Sequence, residues 1–161
     1  MKHFIRIFPI LVLTTVLLTA FSSMDKVPVK CMIQMVNYTG EGAYVIISLI
    51  DPEGAYEETL YVQGKDNEWY SEISEWWKFY GKQRPDVDAI SGETIAGGER
   101  TISVIKIPSE KIDQGYSIRF ETSVEDQEYY TDDVQFELTS ESVKSKVAGK
   151  GFIRYVRMMP Q

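Results

Sequence analysis

The sequence predicts an exported antiparallel β-sandwich with one short helix. Three observations carry that expectation. The N-terminus has the layout of a secretory signal, many short stretches alternate apolar and polar residues, and a single segment changes to helical spacing.

Lys2, His3 and Arg6 form a short basic start, and Ile7 to Phe21 is apolar and free of charge. Ala20-Phe21-Ser22 then supplies small residues at the two positions a signal peptidase reads, so residues 1–22 are expected to be a cleaved signal peptide. Its apolar core is about 15 residues, short of the roughly 20 that a membrane span requires. Cys31 follows Val29-Lys30, which does not fit a lipidation box. Residues 23–161 are then expected to form one domain around one core, exported to the periplasm or the outer face of the cell.

In that domain Val29, Cys31, Ile33 and Met35 alternate with other residues at a period of two, which predicts a strand. Ala43 to Ile50 is almost continuously apolar and predicts a central strand covered on both faces. Asp51-Pro52-Glu53-Gly54 is a turn sequence, with proline presetting φ and glycine closing it, and Tyr56 to Val62 returns as the hairpin partner. Ile73, Trp76, Trp77 and Tyr80 fall on one face of a helix, with Glu72, Glu75 and Lys78 opposite. Gly81 is expected to end that helix and Pro85 to prevent its resumption. From Gln83 to Gly98 there is no apolar period; this reads as a long polar loop, and loops of that length are often functional. Strands resume at Thr101 to Ile107, Tyr116 to Phe120, Val134 to Leu138 and Phe152 to Met158. About seven or eight short strands with one helix argue a sandwich.

Composition excludes several chemistries. The only histidine is His3, inside the signal. The exported domain therefore lacks the commonest general base and transition-metal ligand, and a Ser-His-Asp arrangement cannot be built. One cysteine, Cys31, rules out a disulfide framework and a Cys-type zinc site, and its place in an alternating strand marks it as a small buried apolar group. Lys2 and Arg6 leave with the signal, so 15 of the 17 basic residues face 24 acidic ones, a formal charge of −9. Such a surface is expected to repel nucleic acid and anionic lipid. Glu125-Asp126 and Asp132-Asp133 lack the alternating oxygen ligands of a calcium loop and read as solvated acidic turns. The aromatic cluster from Trp69 to Tyr80 reads first as packing onto a sheet, although one of Trp76 and Trp77 would suit a binding groove. A domain with this inventory is not expected to be an enzyme by itself.

The segment Asp88-Ala89-Ile90-Ser91-Gly92-Glu93-Thr94 carries the sharpest signal. It is adequately explained as a turn, with Asp88 and Ser91 bonding to nearby backbone. Together with Gly42-Ala43-Tyr44-Val45, Tyr56 to Val62, Trp76-Trp77 and Gly98-Glu99 in this order, it also resembles an uncharacterised family of predicted bacterial periplasmic proteins. That resemblance covers roughly residues 29 to 140. It implies an immunoglobulin-like sandwich similar to the flagellar hook-capping protein, and an association with membrane redox proteins and a flavin transferase.

The same segment resembles the acceptor motif of covalently flavinylated extracytoplasmic proteins: Asp, two variable residues, Ser or Thr, Gly, Ala, Thr. The resemblance implies that an FAD:protein FMN transferase would place FMN on Thr94, with Asp88, Ser91 and Gly92 as recognition residues. The departure is Glu93, where the pattern has alanine; its charge beside a phosphate acceptor disfavours the product. Two readings follow. One is a non-catalytic sandwich that carries FMN and relays electrons to a membrane redox protein. The other is an immunoglobulin-like module without cofactor that docks a partner through the Trp76-Trp77 face or a sheet edge. Fold alone does not choose between them.

Overall fold

Strand β1 (Lys26–Met35) shows in three dimensions what its alternation predicts: Val29, Cys31, Ile33 and Met35 are fully buried, and the residues between them face outward. The computed structural model describes residues 25–83 and 91–161; the signal segment, and Asp88 with its immediate neighbours, lie outside the described residues. Within them β1 is followed by β2 (Tyr44–Ile50), β3 (Tyr56–Gln63), a 3-10 turn (Asn67–Glu72), α1 (Ser74–Gln83), β4 (Ser91–Gly92) and β5 (Arg100–Pro108). The chain continues through β6 (Ser117–Ser123), β7 (Tyr129–Glu137), β8 (Lys146–Ala148) and β9 (Ile153–Pro160). A four-stranded sheet in the order β5-β1-β9-β8 packs on a five-stranded sheet in the order β4-β3-β2-β6-β7. This is the predicted sandwich. All pairings are antiparallel except β3 with β4.

The unbroken apolar run of β2 has the expected cause. Val45, Ile47 and Leu49 enter the core between the sheets, while Ile46 lies on the other face under the helix, in a layer with Val62, Tyr70, Ile73 and Trp76. Asp51 closes the β2–β3 turn by accepting from the backbone N–H of Gly54 at 3.0 Å and, through its carboxylate, from that of Ala55 at 2.8 Å. Trp76 is fully buried, donates from its indole to Thr59 Oγ1 at 2.9 Å, and stacks on Tyr80 at 4.6 Å between ring centroids. Trp77 is only half-buried. Packing is thus the role of Trp76, and it is not free to form an exposed platform with its neighbour.

Three expectations need correction. Gly81 does not end the helix; α1 continues through it to Gln83, with the bare Gly81 Cα lying against the Trp77 ring. The polar loop is not wholly irregular, because Ser91–Gly92 adds a short parallel strand at the edge of β3. The Asp132-Asp133 pair is not a solvated turn. Asp132 is exposed and paired with Lys150 at 2.6 Å, but Asp133 is fully buried. Its carboxylate accepts from Thr122 Oγ1 at 2.7 Å and from the backbone N–H groups of Lys150, Gly151 and Ile153 at 2.8–2.9 Å. Since Asp133 is on β7 and residues 150–153 lead into β9, this carboxylate pins one sheet to the other. Cations gather on the outer face of the four-stranded sheet. Cys31 is fully buried as expected, and burial pushes its thiol up to about 12, so it stays protonated and inert.

Removing the Asp133 carboxylate takes the acceptor from the Gly151 and Ile153 N–H groups, the latter buried, while the Lys150 N–H keeps the Asp133 main-chain carbonyl at 2.9 Å. Asp133→Ala is expected to cost about 3 kcal/mol or more of unfolding free energy, and Asp133→Asn about 1–2, because the amide keeps one acceptor oxygen. Urea denaturation measures both; an alanine variant within 0.5 kcal/mol (about the range of an ordinary surface change) would contradict the pin.

Candidate functional site

The segment that carries Thr94 is held at each side. Its start lies on β3: the Gly92 carbonyl accepts from Gly64 N–H at 2.6 Å, and the Gln63 amide donates to the Glu93 carbonyl. A Cβ at Gly92 would lie 2.5 Å from the Tyr61 hydroxyl, so a larger residue here would have to displace the end of that side chain. One residue past Thr94, Ile95 turns into the core and is 2 % exposed. Its backbone exchanges hydrogen bonds with Ala43 at 2.8 and 3.1 Å. The Tyr38 hydroxyl fastens the same point, donating to the Ile95 carbonyl at 2.5 Å and accepting from Ala43 N–H at 2.8 Å. Gly97 then passes against the Tyr38 backbone, where a Cβ would not fit, and Gly98 adopts φ +77°.

Thr94 itself is exposed, and its hydroxyl makes no hydrogen bond to another described residue. It stands directly over Gly42, whose missing side chain gives the threonine its room. Gly92 lies on β4 as described; Ser91 shares that strand, and Asp88 is outside the described residues. Glu93, the departure from the acceptor pattern, turns its carboxylate to the Lys65 ammonium. That contact raises the Lys65 pKa through the hydrogen bond and then the charge of Glu93. Both side chains are well exposed, so the pair adds little stability, yet it offsets locally the charge that the sequence sets beside Thr94.

Beside Thr94 opens a pocket of about 140 Å³, lined by Gly42, Tyr44, Trp69, Ile73 and Ser123, with three carboxylates from separate elements, Glu41, Glu72 and Glu125. Tyr44 donates to the Asp66 carbonyl at 3.2 Å, and its pKa is raised by burial first and then by the charges of Asp66, Glu125 and Glu72. The pocket therefore offers aromatic surface and negative potential, and an anion entering it would be repelled. Sequence reasoning did not find it. Trp69 and Glu125 are visible as an aromatic and an acid, but no spacing signals that β2, β6 and the 3-10 turn converge here.

A second polar cluster was also missed. Glu121 follows Phe120 on β6 and looks solvent-facing by alternation, yet α1 covers it and it is fully buried. It accepts from the Tyr56 hydroxyl at 2.6 Å and from that of Tyr129, whose oxygen in turn accepts from the Glu75 N–H at 3.3 Å. Burial raises the Glu121 pKa above the ordinary 4.5, against the lowering effect of the two phenols and Arg119, and burial raises both tyrosines as well.

Likeness to known proteins adds a location. Residues 26–155 match the family described as "Predicted periplasmic protein (DUF2271)". The chain belongs to that family. It is a periplasmic β-sandwich protein, and among the described residues no helix is long and apolar enough to cross a membrane. No curated protein and no solved structure matches it.

The raised Glu121 pKa has a definite sign. The folded chain holds this proton more tightly than the unfolded chain, so the contribution of Glu121 to stability is greatest below 4.5 and is lost as pH rises through its folded value. Glu121→Gln removes that dependence. The unfolding free energy of the native protein minus that of the variant is expected to fall between pH 4.5 and neutrality, measured by urea denaturation across that range. A difference that rises instead would show the carboxylate to be favoured in its charged form.

Proposed function

We propose that this member of the family is a non-catalytic periplasmic flavin carrier, with FMN attached through its phosphate to Thr94 Oγ1. The observation that carries the reading is the exposed Thr94 hydroxyl, which has no hydrogen-bond partner among the described residues, on a segment anchored by Gly92 on one side and Ile95 on the other. An acceptor hydroxyl must reach into a transferase, and the exposed Thr94 side chain is placed to do so. In the attachment step the threonine oxygen attacks the FMN-side phosphorus of FAD. The pyrophosphate P–O bond breaks, AMP leaves, and the hydroxyl proton passes to a base of the transferase.

The residues present fit the group at the acceptor. Lys65 compensates Glu93, so the charge next to the phosphoester is smaller than the sequence implies. Trp69 and Tyr44 offer aromatic surface close by, the kind on which a planar ring packs. Glu41, Glu72 and Glu125 would keep the phosphate on the solvent side of Thr94, away from the pocket. When bound, FMN would supply the one- and two-electron chemistry that the side chains lack, and the sandwich would set its exposure and surroundings. The partners implied are an FAD:protein FMN transferase and a membrane redox protein. Asp88, Ser91 and Gly92 are the proposed recognition residues.

Co-expression with such a transferase is expected to yield a yellow protein heavier by one FMN. Thr94→Ala should abolish the increment, and Glu93→Ala, which restores the acceptor pattern, should raise the modified fraction. Intact-mass spectrometry and visible absorbance read all three. An unmodified mass for the native chain would sink the proposal.

A further inference from the structure

The outer face of the four-stranded sheet has a composition unlike the rest of the molecule. Across the sheet, Ile102 on β5 is in register with Met32 on β1, which is in register with Arg157 on β9, which pairs Lys146 on β8. In the next row Val104 neighbours Lys30, and Lys30 neighbours Met159. Arg100 and Lys106 flank these rows on β5. These positions alternate with fully buried ones such as Cys31, Ile105 and Met158, so they share the outward face.

The face carries Lys30, Arg100, Lys106, Lys146 and Arg157, and no outward position on it is a carboxylate, in a chain with a net charge of −7. None of the five is in an ion pair with a described residue. Arg100 donates to the neutral Gln34 amide at 3.0 Å, and Lys146 lies over the Tyr155 ring at 3.8 Å. Between the cations stand the two exposed large hydrophobic residues of the described chain, Ile102 at 59 % and Val104 at 45 % exposure. An ordinary solvated sheet face mixes both signs of charge and does not expose adjacent branched aliphatic side chains.

We infer that this face docks on an anionic phospholipid surface. Charge complementarity carries the choice. Unpaired cations spread over a flat sheet suit a continuous layer of phosphate headgroups, and Ile102 and Val104 would enter the acyl boundary while the long basic side chains extend to the phosphates. The periplasmic location given by the family puts such a surface within reach. The inference runs against the expectation, drawn from net charge alone, that the acidic chain is repelled by anionic lipid, because it rests on where the cations lie. It is independent of the flavin reading, because it can be measured on protein that carries no flavin.

The test is sedimentation of the unmodified exported chain with vesicles of phosphatidylglycerol and phosphatidylcholine in equal parts, and with phosphatidylcholine alone. Binding is expected to the anionic vesicles only and to disappear at high salt. Lys106→Gln and Arg157→Gln should each lower the partition coefficient about 5-fold, taking roughly 1 kcal/mol per cation near such a surface and tenfold per 1.4 kcal/mol. Ile102→Ser should lower it too, and Lys65→Gln, away from the face, should leave it unchanged. Circular dichroism confirms that each variant is folded. Absence of sedimentation with anionic vesicles at low ionic strength overturns the inference. Equal loss on Lys65→Gln overturns it as well, as does a concentration-dependent self-association that the face variants abolish while no vesicle binding occurs.

Discussion

Strand β2 occupies the middle of the five-stranded sheet and is apolar on both sides, and most of the remaining architecture answers that fact. One set of its side chains is covered by the opposing sheet. The other set, with Ile46 and its neighbour Val62, would face water unless something lay across it. The 3-10 turn and α1 supply that cover, and Trp76 and Tyr70 are the large side chains that complete it. Burying an aliphatic side chain of this size is worth about 1.5–3 kcal/mol, so an uncovered outer face would forfeit a substantial share of a small domain's stability. The detour through the helix also decides where the chain returns. It comes back along the free edge of β3, sets down Ser91–Gly92 there, and drops Ile95 onto Ala43 at the foot of β2. Thr94 is exposed because its two neighbours in the chain are fastened.

What the sequence makes legible follows from which contacts are local. The period of two in β1, β5, β6 and β9 reports a sheet with one buried face, and the unbroken run of β2 reports burial on two; both are properties of consecutive residues. The turn at Asp51–Gly54 is equally local, since Asp51 bonds within four residues. The exposed Thr94 hydroxyl and Gly92 are legible only as a motif, because their setting depends on Gly42, Tyr38 and Gln63, which are distant in the chain. Asp133 and Glu121 look like solvated acids by alternation. Their burial comes from the turn before β9 and from α1, and no pattern in their own strands announces either. Gly81 misleads for a related reason. Its usual service at a helix end is backbone freedom, whereas here its missing side chain makes room for Trp77 inside the helix.

Two buried carboxylates in so small a domain serve different ends, and the difference lies in their partners. Asp133 accepts from the backbone N–H groups of Gly151 and Ile153, and from that of Lys150, which it shares with its own carbonyl, and so joins the sheets. Glu121 accepts only phenolic hydroxyls, which are weaker stabilisers of a charge, and burial dominates its titration. The first is a fastening whose loss would uncouple the sheets. The second is a polar seam between helix and sheet whose burden grows with pH.

The distribution of charge over the two layers connects the candidate site with the inferred docking face. The acids around Thr94 belong to the five-stranded sheet and its cover: Glu125 follows β6, Glu72 ends the 3-10 turn, and Glu41 precedes β2. The unpaired cations lie on the outer face of the other sheet. A molecule polarised in this way has a preferred orientation in front of an anionic surface, because turning it over would bring carboxylates to the phosphates. In the preferred orientation the four-stranded sheet faces the lipid and the pocket beside Thr94 stays uncovered, since its lining comes from the opposite layer. The β-sandwich separates the two surfaces by its own thickness, about 10 Å between sheets. That distance exceeds the screening length at physiological ionic strength, about 8 Å, so the cationic face can attract an anionic surface although the chain as a whole is acidic.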